Sequence, residues 1–310
     1  VANLEKKADN VKITGQVRYS YKDTDKNGSE GRLRTRLLVK GAINEDWTYT
    51  GRLENNQYHT DSISVASDGH GEKGDDTTKL NWAYVTGKVG GVAVEAGRMD
   101  VKMHTGSVVD ACFDAAKISY GKDIKLTGVA AKAADTGKWD LGTLETGDRM
   151  YVADISAKLG VVDGYVTYYK ADTAKDDEII VVGAATKVAK DLTLKAEWLN
   201  GDAKAGKDDN GYVLGLAYKG AKASAVGSYG LYAYYYDQPI ATMLEQTVDG
   251  YASLPATYQA AGDGFKGFEV GANYAIAKNI VAAVKYYDLE AREDGKDDEQ
   301  TLWGEVVFTF

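Results

Sequence analysis

The side chains of this chain whose types and spacing could do chemistry are, first, its arginines. Arg32, Arg34 and Arg36 alternate along one run, Lys40 continues the row, and Arg18 and Arg52 take the same parity in the flanking runs. Residues two apart share one face of an extended strand, so these six form a basic wall. Such a wall can attract anions and order water, but it carries no nucleophile. Groups for covalent chemistry are sparse. His59, His70 and His104 fall in polar stretches without metal-ligand spacing. No H-E-x-x-H, G-x-S-x-G or P-loop motif is present. A Ser-His-Asp set that meets only in space escapes sequence reading, but the missing motifs point away from an enzyme. Cys112 stands alone, which excludes a disulfide framework and suits a small buried residue. Asp23-Thr-Asp-Lys-Asn-Gly28 opens like an EF-hand, yet Arg34 stands where the twelfth, bidentate Glu belongs. No metal and no cofactor is expected.

The whole chain must position that wall. It has 310 residues, 46 acids against 37 bases and a net charge of -9, a balance that argues against a nucleic-acid partner. It holds 35 Gly and 22 Tyr but only 2 Pro. Proline breaks sheet ladders, so its near absence suits a chain that is mostly strand. A membrane-crossing helix needs ~20 apolar residues in a row. The longest uncharged stretch, Ala223 to Tyr236, is shorter and is interrupted by Ser and Gly. No signal peptide or initiator Met is seen, so the sequence is expected to be a mature or trimmed portion of a longer product.

Period-two alternation is the dominant signal. Val11, Ile13, Val17, Tyr19 and Tyr21 oppose Lys12, Thr14, Gln16, Arg18 and Ser20. Leu33, Leu37 and Val39 oppose the arginines. Trp47, Tyr49 and Leu53 oppose Thr48, Arg52 and Glu54. Near the end, Leu302, Val306, Phe308 and Phe310 oppose Thr301, Glu305 and Thr309. Four cations on one strand face cannot share a dry core without several kcal/mol of penalty each. A wet interior with an apolar exterior satisfies both faces, and that is the transmembrane β-barrel pattern.

The connections alternate in length. Short turns fall at Ala42–Trp47, Gly87–Gly91, Gly121–Asp123, Gly160–Asp163, Lys187–Leu192, Gly220–Lys222 and Ala275–Ile280. Long, acidic loops run over Asp23–Gly31, Tyr58–Thr78, Asp100–Asp114, Asp135–Asp148, Asp172–Glu178, Gly201–Gly211, Asp237–Lys266 and Ala291–Glu299. Eight loops and seven turns join sixteen antiparallel strands, with fourteen or eighteen as alternatives and both termini on the short-turn side. One such barrel, residues 11–310, leaves no room for a second domain, and Val1 to Asn10 reads as a lead-in resembling the end of a helical stalk. Trp47, Trp82, Tyr84, Tyr286 and Phe310 take the apolar parity and suit interfacial girdles. Loop acids such as Asp208, Asp209, Asp297 and Asp298 read as solvated tips. A continuous aromatic track along the water face is not legible.

The closing Glu305-Val-Val-Phe-Thr-Phe310, with its terminal aromatic and alternating apolar residues, resembles the assembly signal of the general bacterial outer-membrane porins. Val92-Ala-Val-Glu-Ala-Gly-Arg-Met-Asp100 is similar to their fifth strand leading into the third loop. The lead-in and the Ala-Lys-Asp style turns look most like the barrel part of OmpM-type porins of diderm Firmicutes. The resemblance implies passive diffusion of ions and small hydrophilic solutes in the bacterial outer membrane. It also implies a homotrimer, contact with outer-membrane lipids and lipopolysaccharide, and peptidoglycan tethering through a region absent from this chain. It implies a third loop folded into the pore, which would carry Arg98, Asp100, Lys102, Asp110 and Asp114 to the constriction. Acids there would face the basic wall and set a transverse field. The competing reading is that the arginines merely neutralise wall acids such as Glu54 and Glu95. A substrate-selective channel with a sugar or peptide site is the alternative function.

Overall fold

A computed structural model describes residues 10–26, 28–60, 77–134, 144–173, 176–202, 209–245, 247–250, 264–292 and 298–310. The stalk-like reading of Val1 to Asn10 lies almost wholly outside these, as do His70, Asp208, Asp297 and most of the Tyr58–Thr78 loop. Among the described residues are sixteen strands. They are β1 (Val11–Thr24), β2 (Gly28–Ala42), β3 (Thr48–Thr60), β4 (Thr77–Val89), β5 (Val92–Lys102), β6 (Asp110–Gly121), β7 (Ile124–Ala133) and β8 (Arg149–Leu159). There follow β9 (Val162–Ala171), β10 (Asp177–Ala189), β11 (Leu192–Gly201), β12 (Asn210–Lys219), β13 (Tyr229–Pro239), β14 (Gly264–Ala277), β15 (Ile280–Ala291) and β16 (Asp298–Thr309).

Each strand pairs antiparallel with its sequence neighbours, and β1 also pairs with β16, so the sheet closes into a barrel. Closure removes the free edges that an open sheet exposes. The seam is finished by the terminal residue: Phe310 and Gly15 exchange both backbone hydrogen bonds, at 2.8 and 3.0 Å. The Phe310 ring lies across Gly15, where an added Cβ would stand 2.2 Å from it.

Period-two alternation decides which face each residue takes. Ile13, Leu37, Leu53, Ile118, Leu126, Ile155, Leu214, Leu231, Val284, Leu302 and Phe308 are exposed on the outside. Ser20, Thr50, Arg52, Glu54, Asp154, Glu197 and Glu269 are buried on the inside. Among the described residues no helix is long and apolar enough to cross a membrane.

Three expectations change in detail. The Asp23–Gly31 loop is a tight hairpin, because Asp23 pairs with Ser29 and Lys22 with Glu30. The Gly220–Lys222 turn extends to residue 228, with a Lys222–Ala225 bridge and the Ser228 hydroxyl donating to the Ala225 carbonyl at 2.6 Å. Trp82 and Tyr84 face inward. A β-bulge at Asn81 puts Leu80 opposite Leu53 but Trp82 opposite Arg52, and one extra residue reverses every later side chain. The remaining short turns are tight. Gly90 and Gly91 both have positive φ, 55° and 85°, the backbone that a two-residue hairpin requires.

The interior is not wet throughout. Met99, Val101, Phe113, Val129, Met150, Val152, Ile179, Val181 and Leu199 face inward from β5 to β11 and are buried. They are covered by Val108 and Val109 of the β5–β6 loop and by Met243 and Leu244 of the β13–β14 connection. The two loops are tied together where Leu244 N–H donates to the Val108 carbonyl at 2.9 Å. An apolar plug thus fills one side of the barrel, away from the arginines of β1 to β3.

Candidate functional site: the lumen wall and its inward loops

All six basic residues of the sequence analysis lie on the inward parity. In register, Arg18 faces Arg34, Gln16 faces Arg36, Ser20 faces Arg32 and Lys12 faces Lys40. On the next strand Glu54 faces Arg36 and Thr50 faces Lys40. Carboxylates compensate part of this charge. Glu54 bonds Arg36 and lies 3.8 Å from Arg32 and 3.9 Å from Arg52. Glu305 accepts from Arg18 at 3.4 Å and from Trp303 Nε1 at 3.1 Å. Arg52 lies 3.5 Å from the Trp82 ring centre, a cation–π contact. Neutralisation by Glu54 is therefore real, whereas Glu95 pairs with Lys117 and not with an arginine. Arg34 stands apart. Its Nη2 donates to Gln16 at 3.2 Å, its Nε has no acceptor, and it forms no ion pair among the described residues. Among the described residues it is the wall arginine without an ion pair.

The β5–β6 loop does turn inward, but it spans only residues 103–109. His104 reaches to β8 and β9, where Nε2 meets Asp154 Oδ1 at 2.6 Å and the ring stacks on Tyr165 at 3.5 Å and 8°. Thr105 donates to Glu197 at 2.5 Å. The five charges assigned to this loop stand on its flanking strands instead. Arg98 and Asp114 form a bidentate pair at 2.8 Å on the outward parity of β5 and β6, between the buried Met99 and Phe113. Lys102 and Asp110 pair at 2.7 Å across the root of the loop. Asp100 reaches Arg52 at 3.4 Å where β4 and β5 part, their ladder ending at Ala83 and Arg98. The resemblance had put them on the loop, but β5 runs on to Lys102 and β6 begins at Asp110, so the loop between them is shorter than expected. Cys112 is buried in the same parting, its thiol donating to the Asn81 carbonyl at 3.0 Å.

The second inward element follows β13: a 3-10 turn, Ile240–Thr242, and then residues 243–245 and 247–250. It brings Asp249 to Lys285 at 3.2 Å. Burial alone would raise the Asp249 carboxyl, but Lys285 and Arg18 hold it below the usual carboxylate range. The barrel surrounds this side chain on all sides, yet it is 49% open to lumen water. Water therefore reaches it, and the cations decide the direction. Sequence reading missed this carboxylate and Asp154, whereas alternation already puts Glu197 and Glu269 on the polar face of their strands. Acidic loops and alternation mark them as polar, but only the fold brings them around one lumen. It missed the inward tyrosines of β13 as well. Tyr232, Tyr234 and Tyr236 sit at i, i+2 and i+4, with ring centres 5.8 and 6.0 Å apart. Among the described residues, no group of three or more His, Cys, Asp or Glu could hold a metal ion.

A closed sixteen-strand barrel, apolar outside and charged within, with a loop folded into its lumen, is the architecture of the bacterial porins. No family model matches this chain, and no curated protein matches it. Solved structures do. The chain matches Pseudomonas putida OprB with a TM-score of 0.65 at 11% identity, over 100% of this chain and 96% of that one. It matches a triple mutant of Rhodopseudomonas blastica porin with a TM-score of 0.60 at 16% identity, over 97% of this chain and 100% of that one. A further mutant of that porin gives a TM-score of 0.58 at 17% identity, with the same coverage of both chains. These neighbours are bacterial outer-membrane porins, and the chain shares their fold.

Proposed function

We propose that this chain is a water-filled channel of the bacterial outer membrane, passing ions and small hydrophilic solutes by diffusion. One observation carries the reading: exposed apolar side chains cover the outside of a closed barrel whose inside holds the arginines and carboxylates. Lipid suits the first surface and water the second. Selectivity then follows from lumen width and lining charge. Arg18, Arg32, Arg34, Arg36 and Arg52 make one wall positive. Asp154, Glu197, Glu269 and Asp249 offer carboxylates on and near β8 to β15, in place of the Asp100, Asp110 and Asp114 set. The field runs between these walls, and uncompensated Arg34 biases it toward anions.

The finer parts of the reading belong to the same proposal. The chain works as a homotrimer in contact with outer-membrane lipid and lipopolysaccharide. Val1 to Asn10 leads into the barrel from an envelope tether of the OmpM type, so the barrel also anchors. Conductance of the purified protein in planar bilayers tests the channel. Ion-conducting steps closing in threes support channel and trimer together. A protein that inserts but passes no current overturns the channel and leaves the anchor.

A further inference from the structure

We infer that β13 carries a saccharide-binding track along the lumen, with Tyr232 and Tyr234 as its platform. This deepens the channel reading and rests on it. Both rings lie flat on the wall over a glycine of a neighbouring strand. A Cβ on Gly271 would stand 2.2 Å from Tyr232, and one on Gly215 would stand 2.3 Å from Tyr234. The two tyrosines lean toward opposite neighbours, β14 and β12, with their planes 63° apart. A ring lying flat on one wall turns its other face to the lumen.

The barrel itself shows what such a face takes. Tyr165 lies over Gly183 in the same way, 2.2 Å from that glycine's ideal Cβ, and its free face holds the imidazole of His104 at 3.5 Å. Tyr287 is likewise covered by Gly250, whose Cβ would stand 2.5 Å from its ring. Among the described residues, the inward loops thus cover the Tyr165 and Tyr287 rings. Tyr232 and Tyr234 are half-buried and border two cavities that meet along the wall, about 370 and 400 Å³. The cavities share Tyr234 and Glu269.

The polar groups around these faces select the ligand class. Glu269 accepts from the Tyr232 and Tyr236 hydroxyls at 3.0 and 2.8 Å, which holds the platform in place. Asp249, Lys285 and Lys195 line the upper cavity and Asn273 the lower. Apolar ring faces flanked by hydrogen-bonding acceptors and donors match a pyranose. Its C–H face packs on an aromatic ring, and its equatorial hydroxyls reach the flanking groups. A purely aromatic solute would use the faces and leave those groups without partners. The Tyr232 and Tyr234 ring centres, 5.8 Å apart, let two successive sugar units rest on one ring each. Transport needs binding weak enough to release.

The test is single-channel current in planar bilayers with maltotriose added. The expected result is reversible interruption of the current at millimolar sugar. Tyr234→Ala and Tyr232→Ala should each weaken it about three- to tenfold. Tyr234→Phe, which keeps the ring, should hold it within about twofold. Tyr235→Ala, on the outward face of the same strand, should leave it as in the parent. If Tyr234→Ala fails to assemble, Tyr232→Ala and the unsubstituted protein still decide. An open channel that maltotriose never interrupts overturns the track while sparing the channel. Interruption by benzoate but not by maltotriose overturns the saccharide class. A protein that passes no current overturns the underlying channel reading instead.

Discussion

Arg34→Glu is the most direct test of how the wall sets selectivity. Arg34 forms no ion pair among the described residues, while Arg18 faces it and Arg32 and Arg36 flank it on the same strand. Reversing it changes the local charge by two units without stranding a carboxylate partner. A unit charge about 6 Å from a passing monovalent ion contributes ~0.7 kcal/mol in water-like dielectric. Screening over the ~10 Å Debye length of 0.1 M salt reduces that to about 0.4 kcal/mol. Two units make ~0.8 kcal/mol, of opposite sign for anion and cation, so their difference moves by about 1.5 kcal/mol. That is roughly a tenfold shift of the permeability ratio toward cations. Reversal potential across a salt gradient reads it directly. The shift should shrink at high salt and should be smaller for Lys40→Glu, near the short-turn end. A reversal potential unmoved by Arg34→Glu at low salt would refute the claim that this wall governs the permeant ions.

Three further outcomes are expected. His104→Ala removes both the 3.5 Å stack on Tyr165 and the 2.6 Å bond to Asp154, so the inward loop should loosen. Open-channel noise should rise, and unchanged noise would mean that Thr105 and the Val108 contacts suffice. Gly15→Val puts a side chain where the Phe310 ring lies, 2.2 Å from the ideal Cβ. The folded band on unheated gels should then be lost at a lower temperature, and an unshifted transition would show that the ring moves aside at little cost. Asp249 has its pKa depressed in the folded protein. Its contribution to docking of residues 247–250 is therefore present above the unfolded value of ~3.9 and lost as pH falls through the lower folded one. Conductance should hold steady from neutral pH to about pH 4 and change only below that. Asp249→Asn should resemble the acid state at every pH, and a transition near neutrality in the parent would contradict the assignment.

The barrel was legible because its physics is local. Two solvents, one on each face, impose period two on every strand, and Val11 to Tyr21 or Leu302 to Phe310 display it without knowledge of any partner. Turn chemistry is local too, so six of the seven short connections fall where Gly, Asn and Asp cluster, while the seventh runs on to residue 228. The basic wall followed from the same parity, and Arg18, Arg32, Arg34, Arg36, Lys40 and Arg52 all share the inward face. The charges around the third loop did not. Arg98, Asp100 and Asp114 were placed by resemblance and not by parity, and they stand on β5 and β6 because these strands extend into the range expected for the loop. The tyrosines of β13 were hidden for a different reason. Tyr234, Tyr235 and Tyr236 are consecutive, so both parities look aromatic until the register with Glu269 and Phe268 separates them.

The sequence alone determined the strand periodicity and the segregation of apolar and charged faces, because each depends on residues a few positions apart, whereas closure of the sheet fixed the strand count at sixteen among the described residues. Only the tertiary structure decided what occupies the lumen. Residues 103–109 and 240–245 meet inside the barrel through pairings such as Leu244 with Val108. They bury one side under an apolar plug, and among the described residues the arginines, Tyr232 and Tyr234 lie outside it. Contacts between segments more than a hundred residues apart carry no local signature. Which lumen faces are covered and which stay free is therefore settled by the closed barrel and not by any stretch of chain within it.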